Sequence, residues 1–334
     1  MKVAIDSGPL TSGHAIRGIG VNTRELLGAF NSIPHKNVQI SEIDFLKEDL
    51  SKFDIVHYQY FRPLFADLPF TKPARKVILT IHDLIPLIYS EHYPSGLTGA
   101  IRFARNKYLV KKNIDAIITI SETSKKDICR FLGVDPKIIH VIYLAPRKTF
   151  RKLEVGSWTR EVVNKYNLPK SFALYVGDVN YNKNIPVLVE ACKIAKITLV
   201  IAGKQAKEIE NQDFTHAELE HLKNLDWSGT IRLGFVPEED LVALYNLAAV
   251  YVQPSFYEGF GLPTLEAVAC GTPVVAARTQ ALVEILGDDL SYVDPYDAKA
   301  MARSILNPNK NIKLPRIYSW ERVAKETLKL YAEI

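Results

Sequence analysis

Two glutamates eight positions apart, Glu258 and Glu266, stand in the run SFYEGFGLPTLEAVACG at 255–271. Glu258 falls in a glycine-rich loop after the strand-like VYVQP, and Glu266 falls one turn inside a helix that begins near Leu262. Gly259 and Gly261, on either side of Phe260, let the backbone approach a ligand closely, and the free N–H groups of the first helical turn attract anions. Helical side chains tilt toward the N-terminus, so Glu266 points back at whatever occupies that end. A carboxylate there can accept two hydrogen bonds from a vicinal diol such as ribose, and Glu258 can accept from sugar hydroxyls. Two carboxylates beside a phosphate repel it unless they hold the uncharged ends of the ligand, which this spacing allows. The alternative is a pair of carboxylates that merely stabilise a helix N-terminus, by about 0.3–1 kcal/mol each.

Three further segments carry candidate chemistry. In VGDVNYNKN (176–184) a strand ends at Gly177, and Lys183 follows in the loop before a helix. A lysine at a strand's carboxyl end is placed to pair with a diphosphate, although on the segment alone a solvated loop lysine is the plainer reading. In RGIGVNTREL (17–26) Gly18 and Gly20, ahead of a helix, can cradle a phosphate through backbone N–H groups, or form an ordinary turn. In TIHDLIPL (80–87) His82 leaves a strand end, where it can orient a sugar hydroxyl or phosphate, or play a purely structural part. The stretch RFARNKYLVKK (102–112) gathers Arg102, Arg105, Lys107, Lys111 and Lys112 on one helix. It reads either as a surface for anionic lipid or as a solvated face.

These residues must be held by elements the rest of the chain supplies. At 334 residues, 47% hydrophobic and 24% charged, the chain suits two cores rather than one. The net charge of +5 fits an anionic small molecule or membrane surface and falls short of a nucleic-acid signature. Cys129, Cys192 and Cys270 share no metal or redox spacing and read as core thiols of a reducing compartment. No signal peptide and no membrane span is expected, so the protein is placed in the cytoplasm, with peripheral contact at the inner face of the membrane as an option. The chain lacks a D-x-D pair, a G-x-S-x-G elbow, a P-loop and zinc spacing, which disfavours a metal-dependent transferase or a triad hydrolase.

Short, nearly continuous apolar runs alternate with helical patterns, as parallel strands covered on both faces require. Strands are expected at 2–6, 54–58, 76–81, 115–120 and 138–143, then at 172–177, 197–203, 230–235, 249–254, 272–277 and 290–294. Ser121 and Gly133 bracket one helix, Pro237 with its acidic followers opens another, and Pro263 and Gly271 bracket a third. The charged, weakly patterned segment 145–170 reads as an interdomain linker, and 318–334 as an amphipathic helix.

Taken together, RGIGVNTREL, TIHDLIPL, YVGDVNYNKN, VPEEDLVALYNLA and PSFYEGFGLPTLEAVACGTPVVA resemble glycosyltransferase family 4. The resemblance implies the GT-B fold: two Rossmann-like α/β domains whose parallel sheets face each other across a cleft. The tail YSWERVAKETLKLYAEI is similar to the family's terminal helix, which crosses back onto the first domain. The implied domains are 1–150 with 318–334 for the acceptor and 151–317 for a nucleotide sugar. By position, Glu258 resembles the glutamate near the donor sugar, Glu266 the one that grips ribose, and Lys183 the diphosphate lysine. His82 and the Gly18–Gly20 loop resemble elements that face the donor. His82, Lys183 and Glu258 are thus the catalytic candidates; Gly18, Gly20, Gly177, Lys183, Glu258, Gly259, Phe260, Gly261, Leu262 and Glu266 are the donor-binding ones. The family's arginine beside the lysine is absent: Asp178 and Asn182 stand where it is usually found. Arg17, Arg24 and Arg278 are candidates to replace it.

The implied activity is retaining transfer of a hexose from a nucleoside-diphosphate sugar to an acceptor hydroxyl of a sugar or lipid-linked acceptor. No cofactor and no metal is expected, and HDLIPL followed by EHYP leans toward mannose from GDP-mannose. Two alternatives stand beside it: a nucleotide-sugar epimerase on the same architecture, and a catalytically impaired nucleotide-sugar-binding subunit.

Overall fold

The computed structural model describes residues 1–11, 18–35, 37–154, 156–209, 216–288, 290–310, 312–314 and 317–334. The chain divides into two compact units, 1–145 with 317–334, and 146–316.

The first unit is built on six parallel strands: β1 (Lys2–Asp6), β2 (Gln39–Ile43), β3 (Ile55–Tyr58), β4 (Lys76–Ile81), β5 (Ala116–Thr119) and β6 (Ile139–Val141). Their order is β2-β1-β3-β4-β5-β6. Strands β3 and β5 are buried at every position, which is why they read as nearly continuous apolar runs. Its helices are α1 (Gly8–Thr11), α2 (Gly18–Ser32), α3 (Ile85–Ile88), α4 (Gly96–Asn113) and α5 (Glu122–Leu132). Ser121 caps α5 by accepting from the Ser124 N–H at 3.0 Å, and Gly133 closes it in the left-handed region at φ 62°.

The expected strands all form; β2 is an addition. It lies at the sheet edge and has no fully buried residue, so it shows no apolar run to read. Helix α2 already begins at Gly18, so Gly18 and Gly20 are part of the helix rather than of a loop before it. The buried face of Thr23, Leu26 and Phe30 extends back by helical periodicity to Gly20.

The second unit repeats the plan. Its strands are β7 (Phe172–Val176), β8 (Thr198–Ala202), β9 (Thr230–Gly234), β10 (Val250–Gln253), β11 (Val274–Ala277) and β12 (Ser291–Val293). All are parallel, in the order β12-β11-β10-β7-β8-β9. The helices are α6 (Ser157–Tyr166), α7 (Ile185–Ala195), α8 (Lys204–Glu208), α9 (Glu238–Leu247), α10 (Leu262–Ala269), α11 (Gln280–Leu286) and α12 (Ala298–Leu306). The segment expected as a linker is part of this unit, because α6 lies within it. Only Val162 of α6 is fully buried, so its amphipathic signal is faint. Asp240 of α9 holds its end, accepting from Lys165 Nζ and Tyr166 Oη, each at 2.6 Å.

The last helix, α13 (Trp320–Glu333), belongs to the first unit and packs on α2. It buries Trp320, Val323, Ala324, Thr327, Leu330 and Tyr331. Its Tyr331 hydroxyl bonds His57 Nδ1 at 2.7 Å, and His57 Nε2 meets Thr80 Oγ1 at 2.7 Å. Burial drives the His57 imidazole down to about 3, so it is neutral in the folded protein.

Candidate active site

In a doubly wound parallel sheet, ligands gather beyond the carboxyl ends of the strands, where the winding direction reverses. In the second unit that point lies between β7 and β10. Lys183 follows β7 and Glu258 follows β10, and these neighbouring strands bring the two side chains together. Lys183 Nζ lies 2.8 Å from Glu258 Oε1 and 2.9 Å from Oε2. Glu258 is buried, and its Oε1 also accepts from Ser255 Oγ at 2.6 Å and Gln253 Nε2 at 2.8 Å. Gln253 in turn accepts from the Tyr251 hydroxyl, so the carboxylate sits at the end of a hydrogen-bond chain rooted in β10. Such a network fixes a carboxylate in one orientation before any ligand arrives.

Around this pair the loops are tight by necessity. Gly261 precedes α10 at φ 96°, and a Cβ there would meet Leu282 Cδ2 at 2.3 Å, so only glycine fits. Gly177 adopts φ 145°, and a Cβ on Gly203 would strike its carbonyl oxygen at 2.1 Å, which lets the loops after β7 and β8 touch. Gly259 and Phe260 are buried beneath the loop, and Leu262 opens α10 half-buried. The two positions where an arginine was sought have other uses. The Asp178 carbonyl accepts from the Tyr175 hydroxyl at 2.6 Å, and the Asn182 amide donates to the Tyr257 carbonyl at 3.2 Å. Both tie the Lys183 loop to the sheet or to the Glu258 loop.

Glu266 is on α10, buried among Leu265, Ala267 and Val268. Its partner was not foreseen: Arg147, within the segment read as a linker. Arg147 Nε and Nη2 both donate to Glu266 Oε1, at 3.1 and 2.8 Å, while Nη1 donates to Glu238 Oε2 at 2.7 Å. The guanidinium stacks 4.2 Å from the Phe150 ring centroid. Burial pushes the Glu266 carboxyl above the usual range, and Arg147 pulls it back. Burial also opposes the charge on Arg147, but Glu266 and Glu238 together hold its pKa above the ordinary value. The only sequence signal for Arg147 was indirect: a glutamate on the apolar face of a helix needs a cation.

Of the arginines proposed as substitutes, Arg278 is exposed and pairs with Asp288 at 3.0 Å. Arg24 lies on α2 in the first unit, and Arg17 lies outside the described residues. In the first unit, His82 directly follows β4, and Asn22 of α2 donates from Nδ2 to its Nε2 at 2.8 Å. His82 Nε2 is therefore the acceptor and Nδ1 carries the proton; burial lowers its pKa to about 4, so it acts neutral. Sequence reasoning missed Asn22 and Gln59. Gln59 is fully buried, its amide has no partner among the described residues, and it lines a cavity of about 20 Å³ with Asn22, His57 and Thr80. That is room for one water molecule.

Residues 158–317 match the family model of glycosyl transferases group 1, and residues 18–145 match that of glycosyltransferase family 4. The chain is 30% identical to O-antigen chain mannosyltransferase B of Escherichia coli over 83% of its own length and 75% of that protein's. It is also 30% identical to the serotype-specific mannosyltransferase WbdA of Escherichia coli over 71% of its length, but spans only 30% of that longer protein. In three dimensions it resembles sucrose-phosphate synthase from Thermosynechococcus elongatus, with a TM-score of 0.68 and 21% identity, covering 100% and 98% of the two chains. It is similar too to Anabaena HepE in complex with UDP-glucose, with a TM-score of 0.71 and 15% identity over the full length of both. Two parallel six-stranded sheets flanked by helices, with relatives of these kinds, have one reading: the chain is a glycosyltransferase of the GT-B fold and belongs to glycosyltransferase family 4.

Proposed function

We propose that the protein transfers a hexose from a nucleoside-diphosphate sugar to an acceptor hydroxyl with retention, and that the donor is GDP-mannose. The second unit takes the donor, and the first unit takes a sugar or lipid-linked acceptor. One observation carries the reading: Lys183 and Glu258 meet at the switch point of the second sheet, in a preformed network. The names of the mannosyltransferase relatives support the choice of sugar.

In this reading the diphosphate draws Lys183 away from Glu258. The lysine then stabilises the charge that develops on the leaving phosphate, and the released carboxylate accepts from the sugar hydroxyls. The N-terminus of α10 faces the same anion. No carboxylate is assigned as a nucleophile; the acceptor attacks the face the phosphate leaves, and the phosphate oxygen takes its proton. The test is nucleotide release from GDP-mannose, UDP-glucose and ADP-glucose with glycan and polyprenyl-phosphate-linked acceptors, with and without a chelator. Release from GDP-mannose, unaffected by the chelator and giving an α-linked product, is expected. Preference for another donor sinks the mannose assignment, and a β-linked product sinks retention.

The reading includes contact of the first unit with an anionic membrane through α4. No helix among the described residues is long and apolar enough to cross a membrane. Helix α4 has five basic and no acidic residues. Leu97, Ile101 and Tyr108 are exposed on one stripe of it, Leu97 by 80%. Asn106 donates to the carbonyls of Pro63 and Phe65, and Asn113 to that of Phe70, which fastens the loop carrying exposed Phe65 and Phe70 against the helix. Arg105 covers the Phe70 ring at 4.3 Å. Apolar side chains rimmed by Lys107, Lys111 and Lys112 suit a bilayer interface rich in anionic headgroups.

A further inference from the structure

Every carboxylate placed at the donor site has its own cation: Lys183 for Glu258 and Arg147 for Glu266. The two pairs differ. Lys183, at the end of a short 3-10 turn (Tyr181–Lys183), is bound by both oxygens of its partner, whereas Arg147 spends two donors on one oxygen of Glu266. Its third nitrogen is anchored to Glu238, whose other oxygen accepts from Thr149 Oγ1 at 2.5 Å, and its flat face rests on Phe150. Side-chain exposure is only 13% for Arg147 and 4% for Glu266. This guanidinium cannot swing away to a phosphate without leaving two carboxylates unpaired, which is costly. It is therefore no replacement for the family's missing arginine.

We propose that Arg147 is a positioning residue of the nucleotide site: it consumes Glu266 Oε1 and so reserves Oε2 for the vicinal hydroxyls of the nucleotide's ribose. Among the described residues Oε2 has only the Tyr245 hydroxyl, at 3.4 Å. A diol would replace or share that long contact. The inference rests on the reading of Glu266 as the ribose-binding carboxylate, and its test separates the two. An arginine suits the task because its planar fork fixes the carboxylate's rotation, which a lysine's single ammonium does not.

The decisive measurement is the ratio of affinities for GDP and 2′-deoxy-GDP, by calorimetry on the full chain. Wild type should favour GDP by ~10-fold or more, the scale of a hydrogen bond to a charged acceptor. Glu266→Gln should shrink that preference; if wild type shows none, or Glu266→Gln keeps it, the ribose reading of Glu266 falls. Arg147→Lys, which retains charge and fold, should reduce the preference several-fold; if it keeps the wild-type ratio, Arg147 does not position the carboxylate. Arg147→Met adds a pH signature. Burial already raises Glu266, with Glu238 reinforcing the rise and Tyr245, Tyr251 and Cys270 packed near it. Without the guanidinium the rise of the carboxyl is no longer opposed, so the preference for GDP should weaken toward acid pH and recover as the pH is raised. Wild type, which keeps its cation, should depend on pH less steeply. A folded Arg147→Met protein with the wild-type preference and the wild-type pH profile overturns the proposal.

Discussion

Lys183 and Glu258 form a part-buried ion pair whose two halves are unequally supported. Glu258 keeps Gln253 and Ser255 if the lysine is removed, but its charge loses its counter-ion in a buried place. Lys183→Met should therefore destabilise the second unit by about 3 kcal/mol, and Lys183→Met with Glu258→Gln by clearly less. Urea unfolding of the three proteins checks this; equal losses for the single and double variants would mean the pair carries no coupling. At this scale the sequence was informative about identity and silent about partners. Glu258, Lys183 and Glu266 were visible because glycines, a strand end and a helix start frame them. Arg147 was not, because its role depends on a fold-level meeting with residues 91 and 119 positions away, and no local spacing marks such a contact. Gln59 was hidden for the same reason: its burial without partners is a property of the packed unit.

Elements were the most legible level, for a physical reason. Central parallel strands are covered on both faces, so β3, β5, β10 and β11 are nearly continuous apolar runs, with only His57, Thr119 and Gln253 as buried polar exceptions. The edge strand β2 and the peripheral helix α6 bury little, and the pattern that would reveal them is correspondingly absent. Helix α4 shows the limit of reading a charge run: its basic residues were plain, but the apolar stripe beside them became meaningful only once Leu97, Ile101 and Tyr108 proved exposed. The expectation is binding to vesicles of phosphatidylglycerol and phosphatidylcholine, falling with salt, and little binding to phosphatidylcholine alone. Replacing Leu97 and Ile101 by serine should cut sedimentation with the anionic vesicles at least several-fold while leaving nucleotide release to a soluble acceptor unchanged. Equal binding to both vesicle types, or self-association that vanishes in the double variant, would rule out the lipid assignment.

At the scale of the whole molecule, the first unit carries two neutral imidazoles, buried His57 near 3 and half-buried His82 near 4. Both lie below the unfolded value of about 6.5, so the unfolded chain gains protons first as the pH falls. The stability they allow is fully present above pH 6.5 and is lost progressively below it. Each should remove about 2 kcal/mol by pH 5, and His57→Gln should abolish roughly half of the combined loss. Urea midpoints of the first unit at pH 7 and pH 5 provide the measurement; an unchanged pH slope in the variant would show that His57 is not the group responsible. His57 is shielded by Tyr331, and Tyr331 arrives on α13, after the 146–316 unit has been made. During synthesis, then, the earlier-translated unit waits with an open face along α2 while the later one can already close its own sheet. The second unit is positioned to mature first on the ribosome, and the first can finish only when residues 317–334 have left the exit tunnel.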